Sequence, residues 1–192
     1  MLFHNLTWLK KYGILIIILA GCWQFGSGSY IYAKAQFAQY LLNNAWLKTL
    51  QNNKNVKPWK WADTHPVANI LFKNGNINYI VLAGGTGRTI AFGPGHISST
   101  PLPGNGGNSV IVGHRDTHFA VLESLTLGDE IHVQTVNKQI NYKIFNTMIV
   151  DHSQSDVMRD QNSELLTLIT CYPFNSIHSG GPLRYVIQAM PL

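Results

Sequence analysis

Three observations predict a mainly β domain, a barrel or sandwich, carried on an N-terminal helical arm. From Trp59 onward the chain breaks into short β-branched and aromatic runs separated by Gly, Pro and Asn. Seven such runs follow one another with no long helical pattern between most of them, which is the signature of a barrel or sandwich rather than an alternating α/β fold. The first sixty residues have another texture, an uncharged apolar stretch and then a segment free of Gly and Pro. At 192 residues without a fixed internal period, the chain suits one domain plus an appendage.

The arm comes first. Between Lys11 and Lys34 lie twenty-two residues without formal charge, "YGILIIILAGCWQFGSGSYIYA", enough at helical rise to cross about 30 Å of hydrocarbon. Trp23, Tyr30 and Tyr32 suit an interfacial belt, and the basic Lys10 and Lys11 favour an inside N-terminus by a small margin over Lys34. "LAGC", Leu19 to Cys22, has the shape of a lipid-attachment site. Apolar and aromatic residues continue beyond Cys22, however, so an uncleaved span is the expectation. Lys34 to Gln51 then reads as a stalk helix with Phe37, Tyr40, Leu41, Ala45 and Leu50 on one stripe, followed by the polar linker "NNKNVKP".

Charge separates the arm from the rest. All seven basic residues of the first sixty stand without an acidic one, whereas from Trp61 onward seven basic residues face nine acidic ones. The formal +5 therefore belongs to the arm and favours an anionic membrane surface over nucleic acid, which would need a basic patch on the folded domain.

The strand candidates, in order, are "VANILF", "INYIVLA", "SVIVGH", "EIHVQTV", "INYKIFNTMIV", "LLTLITCY" and "RYVIQAM". Asn74-Gly75 between the first two is a strong hairpin signal. Phe92 to Asn108 packs five glycines and three prolines into seventeen residues and reads as a long shaped connection, with His96 in a structural turn. Trp59 and Trp61 are expected to close the core.

The chemistry gathers at strand ends. If "LLTLITCY" and "LRYVIQAM" pair antiparallel around the loop "PFNSIHSGGP", Cys171 and Arg184 become neighbours on one rim. His114 also leaves a strand end, after Gly113. A thiolate is the nucleophile, an imidazole with a reference pKa near neutrality moves protons, and a permanently charged guanidinium binds a developing oxyanion. "HRDTH" could be drawn as a metal cluster of His114, Asp116 and His118 with Cys171. No second spaced Cys and no Glu-flanked His motif supports it, so neither metal nor cofactor is expected.

"TLITC", "GHR" and "PLRYVIQA", in combination with an N-terminal anchor, resemble the sortases, cysteine transpeptidases of bacterial envelopes. "GPGH", "PLPGNGGNSVIVGHRDTHF", "LTLITCYPF" and "GGPLRYVI" are most similar to class D and the related sortases of marine Gram-negative bacteria. The resemblance implies an eight-stranded β-barrel with Cys171 as nucleophile, His114 as acid and base, and Arg184 as oxyanion and substrate group. Asp116 either orients the histidine or is a solvated or structural carboxylate, and Thr170 is a helper at the oxyanion on this resemblance. It divides the chain into a cytoplasmic N-terminus 1–11, a transmembrane anchor 12–33, a stalk helix and linker 34–58, and an extracytoplasmic catalytic domain 59–192.

The implied partners are a secreted protein with a C-terminal Leu-Pro-x-Thr-Gly-like sorting signal and an acceptor amine. Two alternatives stay open at this point: a peptidase of the same fold that gives the acyl group to water, and a non-enzymatic envelope binding domain.

Overall fold

The computed structural model describes residues 2–73, 76–159, 163–178 and 180–192. The chain divides into two units, Met1–Tyr40 and Leu41–Leu192. The first unit is helical, part of a single helix α1 (Leu2–Asn52) that spans the expected anchor and stalk without a break. Ile14 to Leu19, Trp23, Phe25, Tyr30, Ile31 and Tyr32 are all exposed. Large apolar side chains around a helix long and apolar enough to cross a membrane are consistent with a lipid environment.

The second unit opens with the last turns of α1. Leu42, Ala45, Trp46 and Thr49 are buried at spacings of three and four, and Leu42 and Trp46 pack with Ile80 and Leu82. This corrects the expected stripe, since Phe37 and Tyr40 are exposed. Apolar residues occur on adjacent faces here, so periodicity alone allowed two overlapping stripes, and the bulk of Trp46 decides between them. Beyond the helix, Asn53 takes the left-handed conformation (φ 52°), and the Thr49 hydroxyl accepts from the Val56 amide at 3.2 Å.

Eight strands follow among the described residues: β1 (Pro66–Phe72), β2 (Ile77–Ala83), β3 (Gly95–His96), β4 (Asn108–Val112), β5 (Glu130–Thr135), β6 (Gln139–Asp151), β7 (Leu165–Cys171) and β8 (Leu183–Pro191). They close into a barrel in the order β1-β2-β3-β4-β7-β8-β6-β5, so each strand has two neighbours and no edge is left open. The pairs β2–β3 and β4–β7 are parallel and the others antiparallel. β1 and β2 pair from Phe72↔Ile77 as the hairpin requires, while Asn74-Gly75 itself lies outside the described residues.

Inside the barrel Ile70, Phe72, Ile111, Phe119, Tyr142, Leu166, Leu168 and Ile187 form one core. A smaller outer cluster, Val110, Ile169 and Val186, is covered by Val157 and Met158 of a short 3-10 helix, Ser155–Met158. Asn108 fixes that cover: its amide donates to the carbonyls of Val157 (3.0 Å) and Arg159 (3.2 Å), and its oxygen accepts from the Thr167 hydroxyl at 2.6 Å.

Two expectations are corrected. The glycine-rich connection contains β3, where His96 is buried with Nε2 3.0 Å from the Pro101 carbonyl oxygen. Of the two tryptophans, Trp59 is half-buried, edge-on to Phe92 at 5.2 Å, but Trp61 is 84% exposed. The segment there is a turn, and Ala62 takes the inward place.

Trp46 is the largest side chain with which α1 grips the barrel. Trp46→Ala should cost about 3–5 kcal/mol of stability, the range for truncating a buried aromatic. Chemical denaturation of the detergent-solubilised chain, followed by near-ultraviolet circular dichroism, measures it.

Candidate active site

β7 is "LLTLITC", buried on both faces because one packs into the core and the other under the outer cluster. Its last residue is Cys171, half-buried and directly opposite Arg184 in the first turn of the pairing with β8. Directly opposed residues put their side chains on one face, with Cβ atoms about 4.5–5.5 Å apart. The expected Cys171–Arg184 neighbourhood is therefore present at the strand rim.

His114 reaches the same rim by a different route. β4 runs parallel to β7 with Val112 opposite Ile169, and the Gly113 amide continues the ladder to the Ile169 carbonyl at 3.2 Å. His114 follows, exposed at the mouth. Gly113 has a packing reason: a Cβ there would lie 2.7 Å from the Phe119 ring, which is fully buried. The amides of Thr117 and Phe119 return to the His114 carbonyl at 3.4 and 3.0 Å, giving His114 a tight turn to stand on.

Thr170 is buried, and its hydroxyl donates to the Gly113 carbonyl at 2.8 Å. In this arrangement its proton ties the end of β7 to the residue before His114. Asp116 forms a forked pair with Arg115, Oδ1 to Nε at 2.7 Å and Oδ2 to Nη2 at 3.2 Å. The Arg115 hydrogen bond holds its carboxyl below the usual carboxylate range, with the Arg115 and His114 charges adding to the effect. The side-chain hydrogen bonds of Asp116 go to Arg115.

Arg184 donates from Nη1 to the carbonyls of Gly181 (2.7 Å) and Leu183 (2.8 Å), which holds the guanidinium at the rim. His118 is half-buried with its ring edge-on to Tyr79 at 5.2 Å, and burial followed by the His114 charge pushes its proton affinity down. Among the described residues no group of three His, Cys, Asp or Glu could hold a metal ion.

Arg115 belongs to the "GHR" motif, yet its role is not evident from the sequence. It is buried, and besides Asp116 it binds the carbonyls of Pro173, Ser176 and His178 in the loop after Cys171. The available signal was a basic residue flanked by His114 and an acidic neighbour. Its partners lie about sixty positions away, beyond the reach of local pattern.

A separate cavity of about 260 Å³ is lined by Asn53, His65, Leu102, Asn105, Thr135 and Asn137, among others. None of Cys171, His114 or Arg184 borders it, and it lies where β1 begins and β5 ends, the barrel end opposite the cysteine. Cys171, His114 and Arg184 stand at the other rim.

A sequence model of the sortase domain matches residues 73–192, and the chain belongs to the sortase family. Sortase D of Bacillus subtilis (strain 168) is 35% identical over 96 residues, 50% of this chain and 48% of that protein, so the match spans about half the relative's length. Among solved structures, a Clostridium perfringens Sortase D5 transpeptidase superposes with a TM-score of 0.67 at 20% identity, covering 82% of this chain and 99% of that one. The catalytic domain of SrtD from B. anthracis is 32% identical at a TM-score of 0.57, covering 66% and 87%. Sortase A from Corynebacterium diphtheriae gives 0.62 at 21% identity, covering 86% and 83%.

Thr170→Val keeps the shape of the side chain and leaves the buried Gly113 carbonyl without this donor. It should cost about 1–3 kcal/mol, with most of the loss recovered in Thr170→Ser. Urea denaturation of the three proteins checks both halves.

Proposed function

We propose that the chain is a membrane-anchored sortase-type transpeptidase. Its Cys171 thiolate attacks the carbonyl carbon of a Thr-Gly bond in a Leu-Pro-x-Thr-Gly-like sorting signal. The carbonyl oxygen gains charge and is met by Arg184. As the tetrahedral intermediate collapses, the C–N bond breaks, His114 protonates the departing amine, and a thioester to Cys171 remains. An acceptor amine enters, His114 takes its proton, the new amide forms and the thiolate leaves.

The observation that carries this reading is the register: Cys171 opposite Arg184 on the antiparallel β7–β8 pair, with His114 delivered to the same rim by the parallel β4–β7 pair. Family membership supports the reaction class. The uncharged run within α1 supports an anchor at 12–33 between a cytoplasmic 1–11 and a stalk and linker at 34–58. Residues 59–192 then form an extracytoplasmic catalytic domain, beside which a secreted substrate emerges.

The test uses the detergent-solubilised chain, a peptide bearing the sorting signal and a small amine. Wild type should form a thioacyl adduct on Cys171, seen by intact mass, and an amide with the amine. Cys171→Ala should abolish both with the fold retained, because one sulfur at a rim is removed rather than a large core side chain. Full activity in that variant would sink the assignment.

Arg184 offers a graded test in the same assay. Lysine keeps the charge and loses the fork, so Arg184→Lys should lower kcat/KM about 10-fold or more and Arg184→Ala about 100-fold or more. An Ala variant equal to wild type would move the oxyanion donor elsewhere, beginning with backbone amides near Cys171.

A further inference from the structure

We propose that Arg115 is a positioning residue for the Cys171–His114 pair. Its guanidinium clamps the segment that carries His114 to the loop that leaves Cys171, and Asp116 serves this clamp rather than the imidazole. The inference rests on the cysteine and histidine roles proposed above, and its test is readable without a sorting peptide.

The clamp is built from fixed groups. The Arg115 side chain is 3% exposed, and all three of its guanidinium nitrogens are engaged. Nε donates to Asp116 Oδ1 at 2.7 Å and Nη1 to the Pro173 carbonyl at 2.7 Å. Nη2 is shared among Asp116 Oδ2 (3.2 Å), the Ser176 carbonyl (2.9 Å) and the His178 carbonyl (3.3 Å). Taking a guanidinium out of water is costly unless paired and hydrogen-bonded, and here both conditions are met. A planar fork can serve a carboxylate on one edge and a curved loop on the others, which a lysine ammonium cannot reproduce.

Position separates this role from general stabilisation. Arg115 is one residue from His114, and Pro173 is two residues from Cys171. The strands themselves are already tied by the β4–β7 ladder, by the Gly113 amide to Ile169 and by the Thr170 hydroxyl to Gly113. Pairing of the barrel therefore does not need Arg115. What Arg115 adds lies beyond the last bridges, in the two segments that carry the reacting groups past the rim.

Asp116 completes the fork from a mostly exposed position, its side chain 64% exposed, so it orients Arg115 without being part of the core. The Asp116 hydrogen bond is the largest influence raising the proton affinity of Arg115, and the Cys171 charge also contributes, which places clamp and thiol within electrostatic reach. Other ionisable groups on the two segments are His114 and His118 on one side, and Tyr172, His178 and Arg184 on the other.

The experiment measures alkylation of Cys171 by iodoacetamide in the full chain, carrying Cys22→Ser so that one thiol remains, across pH 6–9 with peptide mass analysis. Arg115→Lys should slow alkylation at pH 7 by about tenfold, because the ammonium keeps the charge but cannot hold the loop after Cys171 as the planar fork does, so the thiol and His114 lose their fixed geometry. Asp116→Asn should slow it by about threefold alone and add nothing in the Arg115→Lys background, since residues acting through one device are not additive. Hydrogen exchange at residues 174–178 should quicken in both variants.

A lowered melting temperature with an unchanged alkylation profile would reduce Arg115 to a structural residue and overturn the proposal. So would an Asp116→Asn effect that multiplies with that of Arg115→Lys, which would return Asp116 to direct action on His114. Should Arg115→Lys fail to fold, Asp116→Asn decides alone: unchanged exchange in the loop counts against the clamp. Because alkylation needs no sorting signal, a chain that transfers no acyl group would still report on Arg115.

Discussion

The parallel pairing of β4 with β7 is the constraint on which the site depends. Parallel neighbours point their C-terminal ends the same way, so Val112 and Ile169 lie side by side and the residues after them emerge together. An antiparallel pairing would place His114 and Cys171 at opposite ends of the barrel. Such pairing needs cover on both faces, and both faces have it: the core inside, and the 3-10 helix Ser155–Met158 held by Asn108 outside. This is why β7 is buried almost from end to end rather than in alternation, with Thr167 and Thr170 among its apolar residues. The stiffness that burial gives β4 and β7 is what a rim site needs, because Cys171 is the last residue of β7 and His114 stands two residues beyond β4.

The sequence carried those parts of the structure that local pattern encodes. Strands of five residues or more have enough period to declare themselves, and the seven expected runs match β1, β2 and β4 to β8 within one or two residues at their ends. β3 has two residues, too few for any period, and is held by its neighbours on both sides rather than by its own composition. Local pattern does not single out the buried face of α1, because Tyr40 to Leu42 and Ala45 to Leu47 offer apolar side chains on more than one face. Which face packs is settled by the groove between Ile80 and Leu82, a tertiary fact.

The site divides along the same line. Cys171 and Arg184 were legible as neighbours because a hairpin-like connection between two strong strands leaves few registers. That His114 shares their rim was not, since a parallel pair formed through a long crossover has no local signature. Nor were the partners of Thr170 and Asp116. A hydroxyl and a carboxylate at a strand end have several plausible targets, and the choice of Gly113 and Arg115 follows from where the backbone brings acceptors and donors.

Two arginines at one rim are then set to opposite uses by their surroundings. Arg115 is buried and its nitrogens are committed to a carboxylate and three carbonyls, so it can hold geometry but has little left for an incoming group. Arg184 is half-exposed and anchored through Nη1 alone among the described residues, which leaves the remainder of its fork for the oxyanion role proposed for it. Exchange of the two roles is blocked by position: Arg184 lies across the strand pair from the thiol, whereas Arg115 is turned under the loop. Under the proposed mechanism the fixed charge would shape the site before substrate arrives and the accessible one would answer the charge that develops, which is the arrangement electrostatic preorganisation requires.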